Sequence, residues 1–363
     1  MNMKTIDLKK TSTQEIIDQT SKVLSEGGLI IFPTETTYGA GVDATNPEAV
    51  NKLLAYKSRR EGKPLSIAVC DKKMASEYVF INEQADKLFD QFLPGPVTVV
   101  CKVLEKSEQE FDSKLAPSVA SEFNTLGIRI PDYQLILDLL KAYKKPMTAT
   151  SANGSGKKIP YTIDDILNNI SDKQKSLIDL VLDAGELPHN DPSTVIDTTL
   201  SAPITLRGKS TEKTTKIISN SEQETQEIAG RIMLKNWNEI SKNGLVIALN
   251  GSLGTGKTIF AKGVAKFLNI NEIIKSPTYT YIEEYDFQRH QTQGKLYHLD
   301  MWKVEDKEMF SRLEVETLIA KNNVVIIEWF DQIAQFIDSK LNGANIIKIF
   351  ITQEENKRSL EIS

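Results

Sequence analysis

Apolar and polar positions along the chain separate it into a series of short buried strands and amphipathic helices. Ser12-Thr13-Gln14-Glu15 reads as a capping box, and Ile16, Ile17, Val23 and Leu24 form an apolar stripe that ends at Gly27-Gly28. The run LIIF, 29–32, is uniformly apolar and stops at Pro33, which predicts a buried strand. Asn46-Pro47 opens another helix with proline at its first position. Strand signals recur at 66–70, 97–103, 125–130, in the short stretch PMTA, and at 194–197, alternating with helical patterns as far as Leu206. This alternation predicts an α/β domain with a mixed, twisted sheet whose strand order cannot be read.

The stretch GKSTEKTTKIISN, 208–220, is polar and has no aromatic residue, and it reads as a linker. Ser221-x-x-Glu224 is a second capping box and opens a new domain. It is followed by LVIALN, 245–250, a glycine-rich turn and a helix from Lys257, with further strands at 295–300, 324–328 and 346–351. The expected organisation is a domain over 1–210, a linker over 211–220 and a second α/β domain over 221–363.

Composition narrows the class. At 363 residues, 40% hydrophobic and 26% charged, the chain is long enough for two ordinary globular domains. A net charge of −5 gives no bulk attraction to nucleic acid. Cys70 and Cys101 are the only cysteines, flanked by apolar residues and without C-x-x-C spacing, which argues for core packing and against a zinc-thiolate site. MNMKTIDLKK has no apolar signal core and no run approaches a membrane span, so the expectation is a cytoplasmic protein with no membrane segment.

Residues 251–258, GSLGTGKT, match G-x-x-x-x-G-K-[ST] between a buried strand and a helix. Glycines let backbone N–H groups approach phosphates, and the helix N-terminus favours the anion. Gly251, Leu253, Gly254, Thr255 and Gly256 would cradle ATP, Lys257 would reach the β- and γ-phosphates, and Thr258 would hold Mg²⁺. A carboxylate is needed beside the metal, and two strand ends offer one, Glu328 in VVIIEW and Asp300 in KLYHLD. Trp329 suits either a base or the core. SEQET, GSLGTGKT, SPTYTYIEEY, YHLD and IIEW, in this order, resemble the TsaE (YjeE) family of P-loop ATPases over about 219–363. The resemblance implies Thr258 and Glu328 at Mg²⁺, Trp329 and Thr225 at the adenine, and Thr278 and Asp300 in switch-like segments near the γ-phosphate. It also implies that Arg358 completes the nucleotide pocket. One departure stands out: RLEVE, 312–316, occupies the region where the family has glycine in E-L-G.

The first domain collects polar motifs at strand ends: PTETTYG (33–39), YKSRR (56–60), PGPVT, GIRIP with Arg129, SANGSG (151–156), PSTVID and LRG. Taken singly, Lys57, Arg59 and Arg60 read as a solvated helix end, Arg129 as an edge-strand charge and SANGSG as a loop. Together, cations converging with hydroxyls and glycines suit an anionic ligand, and the residues alone carry the reading no further. The set, with Lys57-Ser58-Arg59 and Ser151-Ala152-Asn153 as its specific part, resembles the YrdC/TsaC-type threonylcarbamoyl-AMP synthases over about 12–210. That resemblance implies condensation of L-threonine, bicarbonate and ATP, with Lys57 and Arg59 as the catalytic cations. It implies Thr36, Arg129 and Ser193 at L-threonine, and Arg59, Thr125, Ser151, Asn153 and Arg207 at ATP, with backbone carbonyls near Ala149 also at substrate. No general base stands out. Two departures are PLSIA (64–68), where the family often has a histidine, and LRG without the usual proline.

Both resemblances point to threonylcarbamoyladenosine formation in tRNA. The expectation is a bifunctional protein in which the second domain hydrolyses ATP to support a transferase complex of TsaD- and TsaB-like proteins, meeting tRNA only through that complex. Three rivals stand beside it. The first is an RNA-binding first domain without catalysis, whose tRNA affinity would fall steeply with salt. The second is a carbamoyl-adenylate site of the hydrogenase-maturation kind, whose usual zinc-finger and acylphosphatase-like segments are absent from this chain. The third is a small-molecule kinase in the second domain, which would give a phosphorylated product rather than free phosphate.

Overall fold

In the computed structural model, residues 3–57, 65–104, 115–154, 157–207, 214–337, 343–355 and 357–363 are described. The chain divides into two compact units, Met1–Thr199 with Pro203–Lys209, and Leu200–Ala202 with Ser210–Ser363.

The first unit holds two sheets. One runs Lys4–Asp7, Leu180–Asp183, Ile30–Phe32, Gly39–Gly41, Thr150–Ser151, the first three parallel and the rest antiparallel. The other runs Ile204–Arg207, Thr194–Asp197, Val97–Val103, Thr125–Arg129, Ser66–Ala68, Met147–Thr148, with Val79–Phe80 also paired to Val97–Val103. The apolar run at 29–32 has no polar alternation because both of its faces are covered. Leu29 and Ile31 pack with Val50, Leu53, Ile67, Val99 and Ile128. Ile30 and Phe32 pack with Ile16, Ile17 and Leu24 of helix Thr13–Ser25 and with Leu139 of helix Gln134–Tyr143. Each such side chain contributes about 1.5–3 kcal/mol of burial. Ser12 caps its helix by accepting the Glu15 N–H, and Asn46 caps helix Pro47–Lys57 by accepting from Glu48 and Ala49. One segment joins the two sheets: Met147–Thr148 pairs with Ser66–Ala68, and Thr150–Ser151 pairs with Gly39–Gly41. Between them the Ala149 N–H donates to the Ser66 carbonyl at 2.7 Å.

The second unit is built on one seven-stranded sheet: Thr215–Ser219, Lys357–Ile362, Asn345–Glu354, Leu245–Asn250, Val324–Glu328, Thr292–Asp300, Ile282–Arg289. Its four central strands are parallel and antiparallel pairs close both edges. Helix Glu222–Asn243 lies against helix Lys257–Phe267, and Gly263 permits the close approach, since a Cβ there would come within 2.6 Å of Gln226 backbone.

Some expected boundaries move. The strand expected at 66–70 ends at Ala68, and those at 295–300 and 346–351 lengthen to Thr292–Asp300 and Asn345–Glu354. The expected linker needs a larger correction. Its residues 208–213 lie outside the described residues, but Thr215–Ser219 is an edge strand antiparallel to Lys357–Ile362. Ile217 and Ser219 are buried, so the β-branched residues there build a half-buried edge whose polar text came from its solvent side. Cys101 is buried as expected, and burial pushes its thiol up to about 12. Among the described residues, no helix is long and apolar enough to cross a membrane.

Candidate active sites

In the second unit three parallel strands end together. Leu249 pairs with Glu328, and Glu328 with Asp300, so these carboxyl ends line one edge of the sheet, where an open α/β sheet offers a crevice. The glycine-rich turn leaves from that edge. Gly251, at φ 139°, has no room for a side chain, since a Cβ would lie 2.2 Å from the Ile351 carbonyl oxygen; Gly256, at φ 103°, starts the helix. Lys257 is buried, and its ammonium donates to the carbonyls of Gly251 and Ser252 at 2.9 Å each. Burial lowers its pKa from the ordinary lysine value, against the pull of Glu328 and Asp300. Thr255 is buried with its hydroxyl on the Ser252 carbonyl at 3.0 Å, whereas Leu253 is 84% exposed.

Thr258 Oγ1 donates to Glu328 Oε1 at 3.0 Å. A hydroxyl that gives its proton to a carboxylate keeps oxygen lone pairs for a hard cation, so this pair fits Mg²⁺. His298 is fully buried and its Nε2–H donates to the same carboxylate oxygen at 2.9 Å. Sequence reasoning did not single out His298. The signal lay in its place two residues before Asp300, which puts both on one face of the strand.

Three further expected residues have these surroundings. Asp300, expected beside the metal, accepts at Oδ2 from Thr278, 22 residues earlier, at 2.9 Å and at Oδ1 from the Trp302 N–H at 3.0 Å. This also joins the two expected switch residues, Thr278 and Asp300. Trp329, expected at the adenine, has its ring centroid 4.2 Å from the Lys257 ammonium. It follows Glu328 directly with φ 59°, and this turn brings the ring over the loop. Thr225, also expected at the adenine, is 0% exposed, and its hydroxyl meets Ser219 Oγ at 2.7 Å and the Ser221 carbonyl at 3.0 Å. Arg358 does sit at the helix start, because a Cβ on Gly256 would meet its Nε at 2.6 Å. In the RLEVE region, Glu314 takes φ 47°, the left-handed conformation that glycine adopts freely.

In the first unit, antiparallel pairing of Val97–Val103 with Thr125–Arg129, and parallel pairing of the latter with Ser66–Ala68, puts Ser66, Thr98, Thr125, Gly127 and Arg129 on one face. Gly127 is needed there, because a Cβ would come within 2.6 Å of Ser66 Oγ and 2.9 Å of Thr98 Cγ2. Arg129 is therefore an interior residue, not an edge-strand charge. Its Nη2 donates to Glu35 Oε1 at 2.7 Å and to Thr36 Oγ1 at 3.3 Å. Thr125 lies four residues back on the same strand, about 13 Å away, with its hydroxyl 2.7 Å from Ser121 Oγ. Ser193 is buried, 3.3 Å from Thr98 Oγ1, and accepts from Arg207 Nη2 at 2.6 Å. Arg207 Nε also donates to the Ser193 carbonyl, at 2.9 Å.

Lys57 closes helix Pro47–Lys57, and its buried ammonium donates to the carbonyls of Ser151 and Asn153 at 2.6 Å each. The lysine of K-x-R and the S-x-N turn are thus one structural unit. Ser151 Oγ donates to Asn153 Oδ1 at 2.7 Å, and Asn153 Nδ2 to the Lys157 carbonyl at 2.8 Å. Arg59 lies outside the described residues. Glu35 was missed by sequence reasoning, which treated it as one letter of PTETTYG.

Two family models match the chain. The Sua5–YciO–YrdC model, described as telomere recombination, covers residues 22–208, and that of threonylcarbamoyl adenosine biosynthesis protein TsaE covers 219–360. A Methanocaldococcus jannaschii relative is 35% identical over 194 residues, 53% of this chain and 86% of its own. The threonylcarbamoyl-AMP synthase of Pyrococcus abyssi is 34% identical over 202 residues, 54% of this chain and 55% of its own, and that of Bacillus subtilis 31% over 194, 53% and 52%. The chain spans about half the length of these last two relatives. The crystal structure of Pyrococcus abyssi Sua5 complexed with L-threonine shares the fold, with a TM-score of 0.51 at 18% identity over 96% of this chain and 99% of that one. The architecture is α/β throughout with mixed sheets, and the chain belongs to the Sua5–YciO–YrdC family, with a TsaE P-loop domain following the family domain.

Proposed function

We propose that this is a bifunctional protein of threonylcarbamoyladenosine biosynthesis, whose first unit condenses L-threonine, bicarbonate and ATP to threonylcarbamoyl-AMP and pyrophosphate. The observation that supports it most is the polar face running from Arg129 to Thr125, with Thr36 and Ser193 at the Arg129 end. The similarity to proteins named threonylcarbamoyl-AMP synthases, one solved with L-threonine, supports the same reading.

In this reading Thr36, Arg129 and Ser193 hold L-threonine. Arg59, Thr125, Ser151, Asn153 and Arg207 hold ATP, and Lys57 and Arg59 face the negative charge that grows on the transferred phosphoryl group. The carbamate of threonine is a poor electrophile until adenylylated. Its oxygen must meet the α-phosphorus in line, a task mostly of positioning and of preorganised charge.

The second unit binds and hydrolyses ATP on Gly251, Leu253, Gly254, Thr255, Gly256, Lys257 and Thr258, with Arg358 at the helix start. Mg²⁺, held by Thr258 and Glu328, would neutralise charge between the β- and γ-phosphates. The hydrolysis supports a transferase complex of TsaD- and TsaB-like proteins, and tRNA is met only through that complex.

Equilibrium dialysis with labelled L-threonine tests the first assignment. Binding is expected in the full chain and in Lys257→Ala, and is expected to fall at least tenfold, about 1.4 kcal/mol, in Arg129→Ala. Unchanged threonine binding in Arg129→Ala would remove the polar face as the threonine site.

A further inference from the structure

The Glu35–Arg129 pair is half satisfied on both sides. Glu35 Oε1 is taken by Arg129 Nη2, but among the described residues Glu35 Oε2 and Arg129 Nε are both buried without a hydrogen-bond partner. Leaving such buried polar atoms unpaired is costly, and here, on the polar face, a bound ligand is the partner that satisfies both at once. The free atoms are one acceptor and one donor carried on side chains that touch each other. The complementary ligand therefore presents a cation and an anion side by side, as the ammonium and carboxylate on one Cα do.

The turn carrying Glu35 is preorganised. Thr34 Oγ1 accepts the N–H groups of Thr36 and Thr37 at 3.2 Å each and donates to the Thr37 carbonyl at 2.7 Å, while Asn190 Nδ2 donates to the Glu35 carbonyl at 2.8 Å. The carboxylate is thus fixed beside Arg129 by both its backbone and its side chain, as a proton acceptor for a bound amine requires.

We infer that Glu35 is the general base that removes a proton from the amino group of the bound amino acid, an assignment that rests on the synthase reading. The amine of threonine is mostly protonated near neutral pH and has no lone pair to attack with. Glu35 Oε2 takes one N–H proton. The nitrogen lone pair then forms a bond to the bicarbonate carbon and the C–OH bond breaks. The hydroxide leaves as water with a second nitrogen proton, and the product is the N-carboxylate. Glu35 returns its proton to solvent, and adenylyl transfer to the new carboxylate follows. Arg129 holds the threonine carboxylate through Nε, which keeps the amine on the Glu35 side.

The test measures two directions of the reaction in the full chain. Forward synthesis from threonine, labelled bicarbonate and ATP needs the deprotonated amine. Pyrophosphorolysis of threonylcarbamoyl-AMP to ATP tests the adenylyl step alone, because the released carbamate decomposes in solution. In Glu35→Gln the forward-to-reverse ratio is expected to fall about 100-fold, the low end of general-base effects. The loss is expected in kcat more than in KM for threonine, and forward activity should climb with pH as the amine deprotonates unaided. Glu35→Asp should recover part of the ratio. An unchanged ratio in Glu35→Gln would overturn the inference, whether forward activity is retained or both directions fall together, since the latter would leave Glu35 only a support for Arg129. Failure of the unmodified chain in both directions would instead overturn the synthase reading itself.

Discussion

Lys57 and Lys257 are buried lysines, one in each unit, and both rest their ammonium on backbone carbonyls of a glycine- or serine-rich turn. Each shapes its turn as well as carrying charge. Lys57→Met leaves the Ser151 and Asn153 carbonyls without this donor, and should destabilise the first unit by about 2 kcal/mol, read as a lower midpoint in a urea melt with an unchanged slope. A midpoint within error of the unmodified chain would show that the turn holds without it. Trp329 reports on Lys257. Nucleotide phosphates must draw the ammonium away from the loop carbonyls and the indole ring, so ATP should change tryptophan emission, and Trp329→Phe should abolish the change while Trp302 and Trp237 remain. At this scale the sequence was readable where chemistry is local. GSLGTGKT, K-x-R and S-x-N carry their meaning in adjacent letters. Glu35 and His298 do not, because each is defined by a partner far along the chain, 94 residues away for Arg129 and 30 for Glu328.

The elements impose their own constraints. The glycine-rich turn is possible only because Gly251 passes under the Ile351 carbonyl, and Gly251→Ala should abolish nucleotide binding by the second unit, measurable by titration with a fluorescent ATP analogue. Retained binding would mean that strand Asn345–Glu354 yields there at little cost. Between helices Lys307–Arg312 and Val315–Leu318, Glu314 holds a left-handed conformation that costs a non-glycine residue about 1 kcal/mol, so Glu314→Gly should raise the stability of the second unit by about that amount. The departure RLEVE therefore falls where the backbone conformation itself asks for glycine. Uniformly apolar strands such as Leu245–Asn250 and Val324–Glu328 were legible to the residue. Gly39–Gly41 was not, because its text, Gly-Ala-Gly, has poor strand preference, and pairing on both sides supplies what propensity lacks. Thr215–Ser219 was hidden because an edge strand with one wet face reads like a linker.

For the whole molecule, each unit has its own apolar core and its own candidate site, and the two proposed chemistries handle ATP differently. Lys257→Ala should therefore abolish ATP hydrolysis while leaving threonylcarbamoyl-AMP synthesis within about twofold, below the 1.4 kcal/mol that a tenfold change represents. Loss of both activities in that variant would show that they share one nucleotide site. Threonylcarbamoyl-AMP synthesis by the first unit is tested with this Lys257→Ala chain, ATP, Mg²⁺ and labelled bicarbonate, by following label into an adenylate. Incorporation is expected to require L-threonine, to release pyrophosphate and to be lost in Arg129→Ala. No incorporation by a folded protein that binds ATP only at the glycine-rich turn would contradict it.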